Sequence, residues 1–125
     1  MPASATILIC DDEPDLRELM RISLDSDFEF AEAESGAEAM ELVDRVRPDL
    51  VLLDVMLRGT NGLEVVEQMR ASREHADTPV LVVSAFAAET DLKAAFDAGA
   101  TEFLKKPFEP DVLRATVEEL LASRR

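Results

Sequence analysis

One cysteine, Cys10, and one histidine, His75, stand in a chain of 125 residues. A lone thiol closes no internal disulfide and builds no multi-cysteine metal cluster. Because Cys10 lies inside an apolar run, it is expected to be packed and inert. No apolar stretch approaches the roughly 18 residues of a membrane span. Met1 to Thr6 lacks the charged and apolar regions of a secretory signal, so the cytoplasm is the expected location, with no membrane partner. Cations are scarce as well: 13 Lys and Arg face 27 Asp and Glu, a net charge of −14. That surplus opposes attraction to nucleic acid or anionic lipid, and no direct nucleic-acid contact is expected. Glycine occurs four times, at 36, 59, 62 and 99, each between predicted elements. No glycine-rich phosphate loop follows the first apolar run, and no linker, repeat or low-complexity segment is visible. Length and the 47% hydrophobic content predict one domain over residues 1–125.

Short apolar runs alternate with amphipathic stretches, the pattern of βα repeats around a parallel sheet. Strands are predicted at Thr6 to Cys10, Phe28 to Ala33, Leu50 to Leu53, Val80 to Val83 and Glu102 to Lys105. ILIC, LVLL and VLVV are apolar throughout, as strands covered on both faces should be, whereas the other two alternate like sheet edges. Five helices fall between and after them. The first is capped by Asp12 or Glu13, with Pro14 in its first turn and Leu16, Leu19, Met20 and Leu24 on one face. The second spans Ala37 to Val46 with Met40, Val43 and Val46 inward, and the third runs from about Leu63 to Ser72 with Val66 and Met69 inward. The fourth covers Glu89 to Ala98, carries Leu92, Ala95 and Phe96, and stops at Gly99. The fifth starts after Pro110, with Asp111 as N-cap and Leu113, Val117, Leu120 and Leu121 inward. Right-handed crossovers then give a doubly wound α/β fold of (βα)5 form, five parallel strands in the flavodoxin-like order 2-1-3-4-5.

That order brings the carboxyl ends of the first, third and fifth strands to one edge, where open α/β sheets bind ligands. Asp11 and Asp12 follow the first strand, Asp54 follows the third and Lys106-Pro107 follows the fifth. Carboxylates at such close quarters repel and need a compensating cation. A hard divalent ion with oxygen ligands fits, Mg²⁺ foremost. A metal, an exposed carboxylate and a lysine together suit acceptance of a phosphoryl group. Only one of the adjacent Lys105 and Lys106 can point at the acids, because side chains alternate along a strand.

Asp11-Asp12-Glu13, Asp54 after LVLL, the segment PVLVVSA at 79–85 and FLKKPF at 103–108 together resemble the receiver domains of bacterial two-component response regulators, the CheY-like family. The resemblance covers Thr6 to Ser123, and Ser84 and Lys106 lie 30 and 52 residues after Asp54, the family's separations. It implies that Asp54 accepts a phosphoryl group from a phosphohistidine of a sensor histidine kinase or phosphotransfer protein. It further implies that Asp12 and Asp54 bind Mg²⁺ directly, with the Met56 carbonyl as a third protein ligand and Asp11 acting through water. Lys106, the lysine before Pro107, is then the one beside Asp54, and a cis Lys106–Pro107 bond is in keeping with the family. Ser84 and Phe103 become the switch pair, where many relatives carry Thr and Tyr. The implied product is a signalling module rather than a turnover enzyme, acting on a downstream protein or output domain through the face of helix 4, strand 5 and helix 5, or dimerising there.

Met56 and Phe86 are apolar where relatives often place polar groups, which suggests slow loss of the phosphoryl group. His75, in the polar stretch Arg73 to Asp77, is expected to be an exposed loop residue rather than a ligand or phosphodonor. Two rival functions use the same fold. An aspartyl-phosphate phosphatase would want a second Asp two residues after Asp54, where Met56 stands, and a flavin protein would want a phosphate loop. A receiver-like scaffold that binds partners without phosphorylation would not need the acids and lysine that are present. The end at Ser123-Arg124-Arg125 suits a free-standing regulator and a piece of a longer one equally.

Overall fold

The computed structural model describes residues 5–24 and 28–123. The expectations resting on residues 1–4, a leader, and 124–125, the chain end, lie outside the described residues.

Five parallel strands form the sheet: β1 (Thr6–Cys10), β2 (Glu29–Ala33), β3 (Leu50–Leu53), β4 (Val80–Ser84) and β5 (Glu102–Lys105), side by side in the order β2-β1-β3-β4-β5. The predicted order is thus the observed one. Hydrophobic character explains the central places: every residue of β3 and β4, and all of β1 except Thr6, is buried. Five helices connect or follow the strands: α1 (Pro14–Leu24), α2 (Gly36–Val46), α3 (Gly62–Ala71), α4 (Glu89–Ala98) and α5 (Pro110–Ser123).

Alternation along each strand divides the core in two. Leu8, Cys10, Val51, Leu53, Val80 and Val82 pack with Ala39, Leu42 and Val43 of α2, Val65, Val66 and Met69 of α3 and Ala95 of α4. On the opposite face Ile7, Ile9, Leu50, Leu52, Leu81 and Val83 pack with Met20 and Leu24 of α1 and Leu113 and Val117 of α5. Cys10 is buried as expected, and loss of hydration pushes its thiol pKa far above the ordinary value, which leaves it unreactive.

Several boundaries depart from expectation for local reasons. β2 starts at Glu29, not Phe28, and β4 runs on to Ser84 because Ser84 pairs with Lys105. Gly36 and Gly62 open α2 and α3 instead of preceding them. α2 is capped by Ser35, whose Oγ accepts the Glu38 N–H at 3.1 Å. Neither Asp12 nor Glu13 caps α1 through its side chain. Asp11 Oδ1 accepts the Glu13 N–H at 2.9 Å, and the Glu13 carbonyl accepts from Leu16 and Arg17. Asp111 is likewise inside α5, whose first turn closes on the Glu109 carbonyl. A short antiparallel ladder, Met56–Leu57 with Thr60–Asn61, was not anticipated. His75 is a plain correction: it is 3% exposed, not a surface loop residue, and its Nε2 lies 2.8 Å from Asp44 Oδ1 on α2.

Arg70 of α3 ties together the two segments that lead into β4 and β5. Its guanidinium donates to the carbonyls of Gly99, His75 and Thr78 at 2.9, 3.1 and 2.8 Å and to Thr101 Oγ1 at 3.2 Å. Gly59 and Gly99 both adopt positive φ, at 82° and 115°, but their surroundings differ. A Cβ at Gly59 would meet open space, whereas one at Gly99 would stand 2.5 Å from Arg70 Cγ. Gly59→Ala should therefore cost about 1 kcal/mol from backbone conformation alone. Gly99→Ala should cost at least about 1 kcal/mol more, because Arg70 must also give up carbonyl bonds. Urea unfolding of the two variants measures the difference, and equal losses would refute a clamp by Arg70.

Candidate functional site

The site grows from the ladder itself. The Asp11 N–H bonds to the Ala33 carbonyl at 3.0 Å, the Asp54 N–H to Cys10 O at 2.9 Å and the Lys106 N–H to Ser84 O at 2.8 Å. Each residue thus prolongs sheet pairing by one step past its strand. Three chemistry-bearing side chains consequently emerge at the same edge from points far apart in sequence.

Their geometry is tight. Lys106 Nζ donates to Asp54 Oδ2 at 2.7 Å and to Asp11 Oδ2 at 2.9 Å. Asp54 Oδ1 accepts the Met56 N–H at 3.0 Å, which ties the carboxylate to the loop that follows it. Asp11 is fully buried and Asp54 is 5% exposed. Burial works against the charge of Lys106, but hydrogen bonds and Coulomb attraction from Asp54 and Asp11 outweigh it, and its pKa is raised. Lys105 is exposed and takes no part, as alternation along β5 requires. The Lys106–Pro107 bond is cis.

Carboxylate oxygens of Asp11, Asp12 and Asp54 lie within 4.8 Å of one another. Three carboxylates against one ammonium leave two negative charges uncompensated in an all-oxygen donor set. That chemistry fits a hard divalent cation, as the three acids predicted from sequence should. Asp12 is half-buried and forms one wall of an open cleft of about 330 Å³, with Glu13, Asp54, Met56, Ala85, Phe86 and Lys106 as the remaining lining. Met56 and Phe86 are more than half exposed and give the cleft an apolar rim.

Ser84 is fully buried at the end of β4, and its Oγ accepts the Phe86 N–H at 3.1 Å. Phe103 pairs in register with Val82 on β5 and packs, half-buried, against the core on the α2, α3 and α4 side. Ser84 follows Val82 by two residues, so it and Phe103 belong to one face of the sheet.

Two supporting residues escaped sequence reasoning. A Cβ at Gly62 would run into the Asp54 carbonyl oxygen, so only glycine lets α3 begin against the Asp54–Val55 peptide. Arg17 of α1 donates through Nη1 to the Asp11 carbonyl at 2.7 Å and through Nε to Glu32 Oε1 at 2.8 Å. In sequence it is one charge among many on an amphipathic helix, with no signal marking it.

The raised Lys106 pKa fixes the sign of a pH effect. A group whose pKa rises on folding stabilises fully below its unfolded value, about 10.4 for lysine, and loses that contribution as pH climbs through the folded value. Lys106→Met should therefore cost roughly 3 kcal/mol near neutrality, the scale for breaking a buried ion pair from one side. The gap to wild type should narrow as pH rises above about 10.4. Urea midpoints from pH 8 to pH 12 check this, and a gap that widened with pH would contradict it.

Comparison with known proteins gives one answer. The family model described as the response regulator receiver domain matches residues 7–118. The response regulator MprA of Mycobacterium leprae is 40% identical over 92% of this chain and 50% of its own. The DNA-binding dual master transcriptional regulator RpaA of Synechocystis is 35% identical over 92% of this chain and 48% of its own. The chain thus spans about half the length of the curated relatives it matches. Among solved structures, the receiver domain of NtrX from Brucella abortus superposes with a TM-score of 0.85 at 31% identity, covering 94% of this chain and 98% of that one.

Proposed function

The chain belongs to the response regulator receiver domain family, and on that premise we propose that it is a phosphorylation-controlled switch of two-component signalling with Asp54 as phosphoacceptor. The observation that carries the proposal is the Asp54 carboxylate at the cleft, 2.7 Å from Lys106 and beside Asp11 and Asp12. An Asp54 oxygen attacks the phosphorus of a phosphohistidine on a sensor kinase or phosphotransfer protein. The O–P bond forms as the P–N bond breaks, and the departing imidazole keeps the electron pair and takes up a proton.

Asp12 and Asp54 would hold Mg²⁺ directly, with the Met56 carbonyl as a third ligand and Asp11 through water; when bound, the ion supplies the positive charge that lets a carboxylate meet an anionic phosphoryl group. The hydrogen bonds single out Asp12 as the ligand with no bond to give up. Asp11 already accepts on both oxygens, from Glu13 N–H and Lys106, and Asp54 on both, from Met56 N–H and Lys106, whereas Asp12 makes no hydrogen bond or ion pair among the described residues. Lys106 passes from the Asp54 carboxylate to a phosphoryl oxygen, which keeps its charge paired throughout. Ser84 Oγ accepts from Phe86 but has its own proton to donate, and it turns to the phosphoryl group once one is present. Phe103 follows into the space that movement opens.

The new charge-assisted contacts bias a pre-existing equilibrium, read out at the face of α4, β5 and α5 by a downstream protein, an output domain or a second copy. Residues 1–125 act as one receiver unit of the cytoplasm, a signalling module rather than a turnover enzyme. Incubation with a small acyl-phosphate donor and Mg²⁺, followed by intact-mass measurement, should show one added phosphoryl group on the wild type and none on Asp54→Asn. A wild type that stays unmodified would instead favour a phosphorylation-independent binding scaffold.

The apolar rim of Met56 and Phe86 bears on lifetime, since neither side chain can orient an attacking water. A placed proton-transfer group typically contributes 100-fold or more, so even partial placement by Met56→Asn with Phe86→Glu should shorten the phosphorylated lifetime by about tenfold. Decay followed by mass after removal of the donor tests this, with an unchanged half-life as the contrary result.

A further inference from the structure

Every polar atom of Asp11 has a partner. Its N–H reaches Ala33 O, its carbonyl takes Arg17 Nη1, Oδ1 takes the Glu13 N–H and Oδ2 takes Lys106 Nζ. The Asp12 carboxylate, next in the chain, makes none of these bonds among the described residues, yet its oxygen stays within 4.8 Å of those of Asp11 and Asp54. Even with Lys106 offsetting one of the three charges, the cluster repels Asp12, and no side-chain bond among the described residues holds it there. What carries it is the backbone, and the carbonyl of the Asp11–Asp12 peptide is the one Arg17 bonds.

We propose that Arg17 is a positioning residue of the cation site: its guanidinium fixes the Asp11–Asp12 peptide between α1 and β2 and thereby keeps the Asp12 carboxylate turned toward Asp54. The inference rests on the metal-assisted phosphoacceptor role proposed above. Arg17 is well placed for it. Its side chain is 15% exposed, and its planar fork grips two acceptors at once, Nε on Glu32 Oε1 at 2.8 Å and Nη1 on Asp11 O at 2.7 Å. Glu32 lies on β2 opposite Ile9 of β1, so the far anchor is part of the sheet. The bidentate reach needs arginine, because a lysine ammonium is a point charge without the fork.

Electrostatics and positioning predict opposite signs here. Arg17 brings a positive charge toward a site that is to bind a dication, so removing the charge alone would strengthen Mg²⁺ binding. Losing the grip on the peptide would weaken it, as loss of groups that orient metal ligands commonly does by ten- to a hundred-fold. Arg21 supplies a matched comparison on the same helix. Its Nε lies 2.9 Å from the other oxygen of Glu32, without hydrogen-bond alignment, and it has no bond to Asp11.

Isothermal titration of the whole chain with Mg²⁺ tests the idea on wild type, Asp12→Asn, Arg17→Met, Arg17→Lys and Arg21→Met, with circular dichroism confirming the fold of each. Arg17→Met and Arg17→Lys should both weaken binding by roughly ten-fold or more, while Arg21→Met should stay within about two-fold of wild type. If Arg17→Met does not fold, Arg17→Lys alone decides. Folded Arg17 variants that bind as tightly as wild type or more tightly overturn the inference while leaving the phosphoacceptor reading intact, and so does an equal loss in Arg21→Met. A wild type that binds no Mg²⁺, or an Asp12→Asn variant that binds as well as wild type, overturns the metal site itself and the inference with it.

Discussion

One ammonium group shared between two buried carboxylates organises this end of the molecule. Lys106 is separated from Asp54 by 52 residues and from Asp11 by 95, and its Nζ lies 2.7 and 2.9 Å from them. None of the three could be buried as an isolated charge without a penalty of several kcal/mol. The arrangement is tenable because it is mutual, and it can be mutual only if β1 and β3 are neighbours and β5 lies two strands further on. Lys106 then reaches across the end of β4, whose last residue, Ser84, is buried and accepts the Lys106 N–H through its carbonyl. Strand order and site chemistry are for this reason a single constraint.

The parts that could be read from sequence are those fixed by strong local physics. Wholly apolar ILIC, LVLL and VLVV are buried on both faces, so they had to be interior strands, and the polar residues directly after them had to emerge at a common edge. Gly99 as a helix stop follows from the left-handed backbone it adopts. What escaped depends on contacts distant in the chain. His75 stands among charged residues and was expected at the surface, yet Asp44 of α2 lies against its ring, and its backbone is held by Ser72, Thr78 and Arg70. Arg17 belongs to the same class, because a helical arginine bonded to a loop carbonyl has the same sequence signature as a solvated one. The need for Gly62 was invisible too, since it depends on how closely α3 approaches the Asp54 peptide.

Unequal anchoring of the helices suits a switch. α1 and α5 each bury two large apolar residues against one face, and α2 and α3 press against the other. α4 buries only Ala95, while Phe96 is substantially exposed. Its C-terminal end is fastened by Arg70 to Gly99 O, and its N-terminal end by the Ala88 N–H to Asp91 Oδ2, a bond within the helix start rather than to the sheet. Elements with few buried contacts open at the low end of the stability range. The segment from Ala85 to Ala88 joins the cleft residue Ser84 to this lightly buried helix.

The energies involved are of the right size for such a device. Driving a two-state equilibrium from 1:99 to 99:1 takes about 5.5 kcal/mol of differential stabilisation. A hydrogen bond to a charged group contributes roughly 1.5–3 kcal/mol net. Lys106 offers little of this, because it is already paired with Asp54 and merely changes acceptor. Ser84 would offer more, since its Oγ only accepts, from the Phe86 N–H, in the unmodified site and its hydroxyl proton would gain an anionic acceptor. Backbone N–H groups of the 85–88 segment are the other source, and one of them, on Phe86, must first leave Ser84 Oγ. On the proposed function, a swing of that size would take two or three such contacts rather than one. Ser84 and the segment behind it would then have to move together, and the signal would be a property of the β4–α4 connection rather than of a single residue.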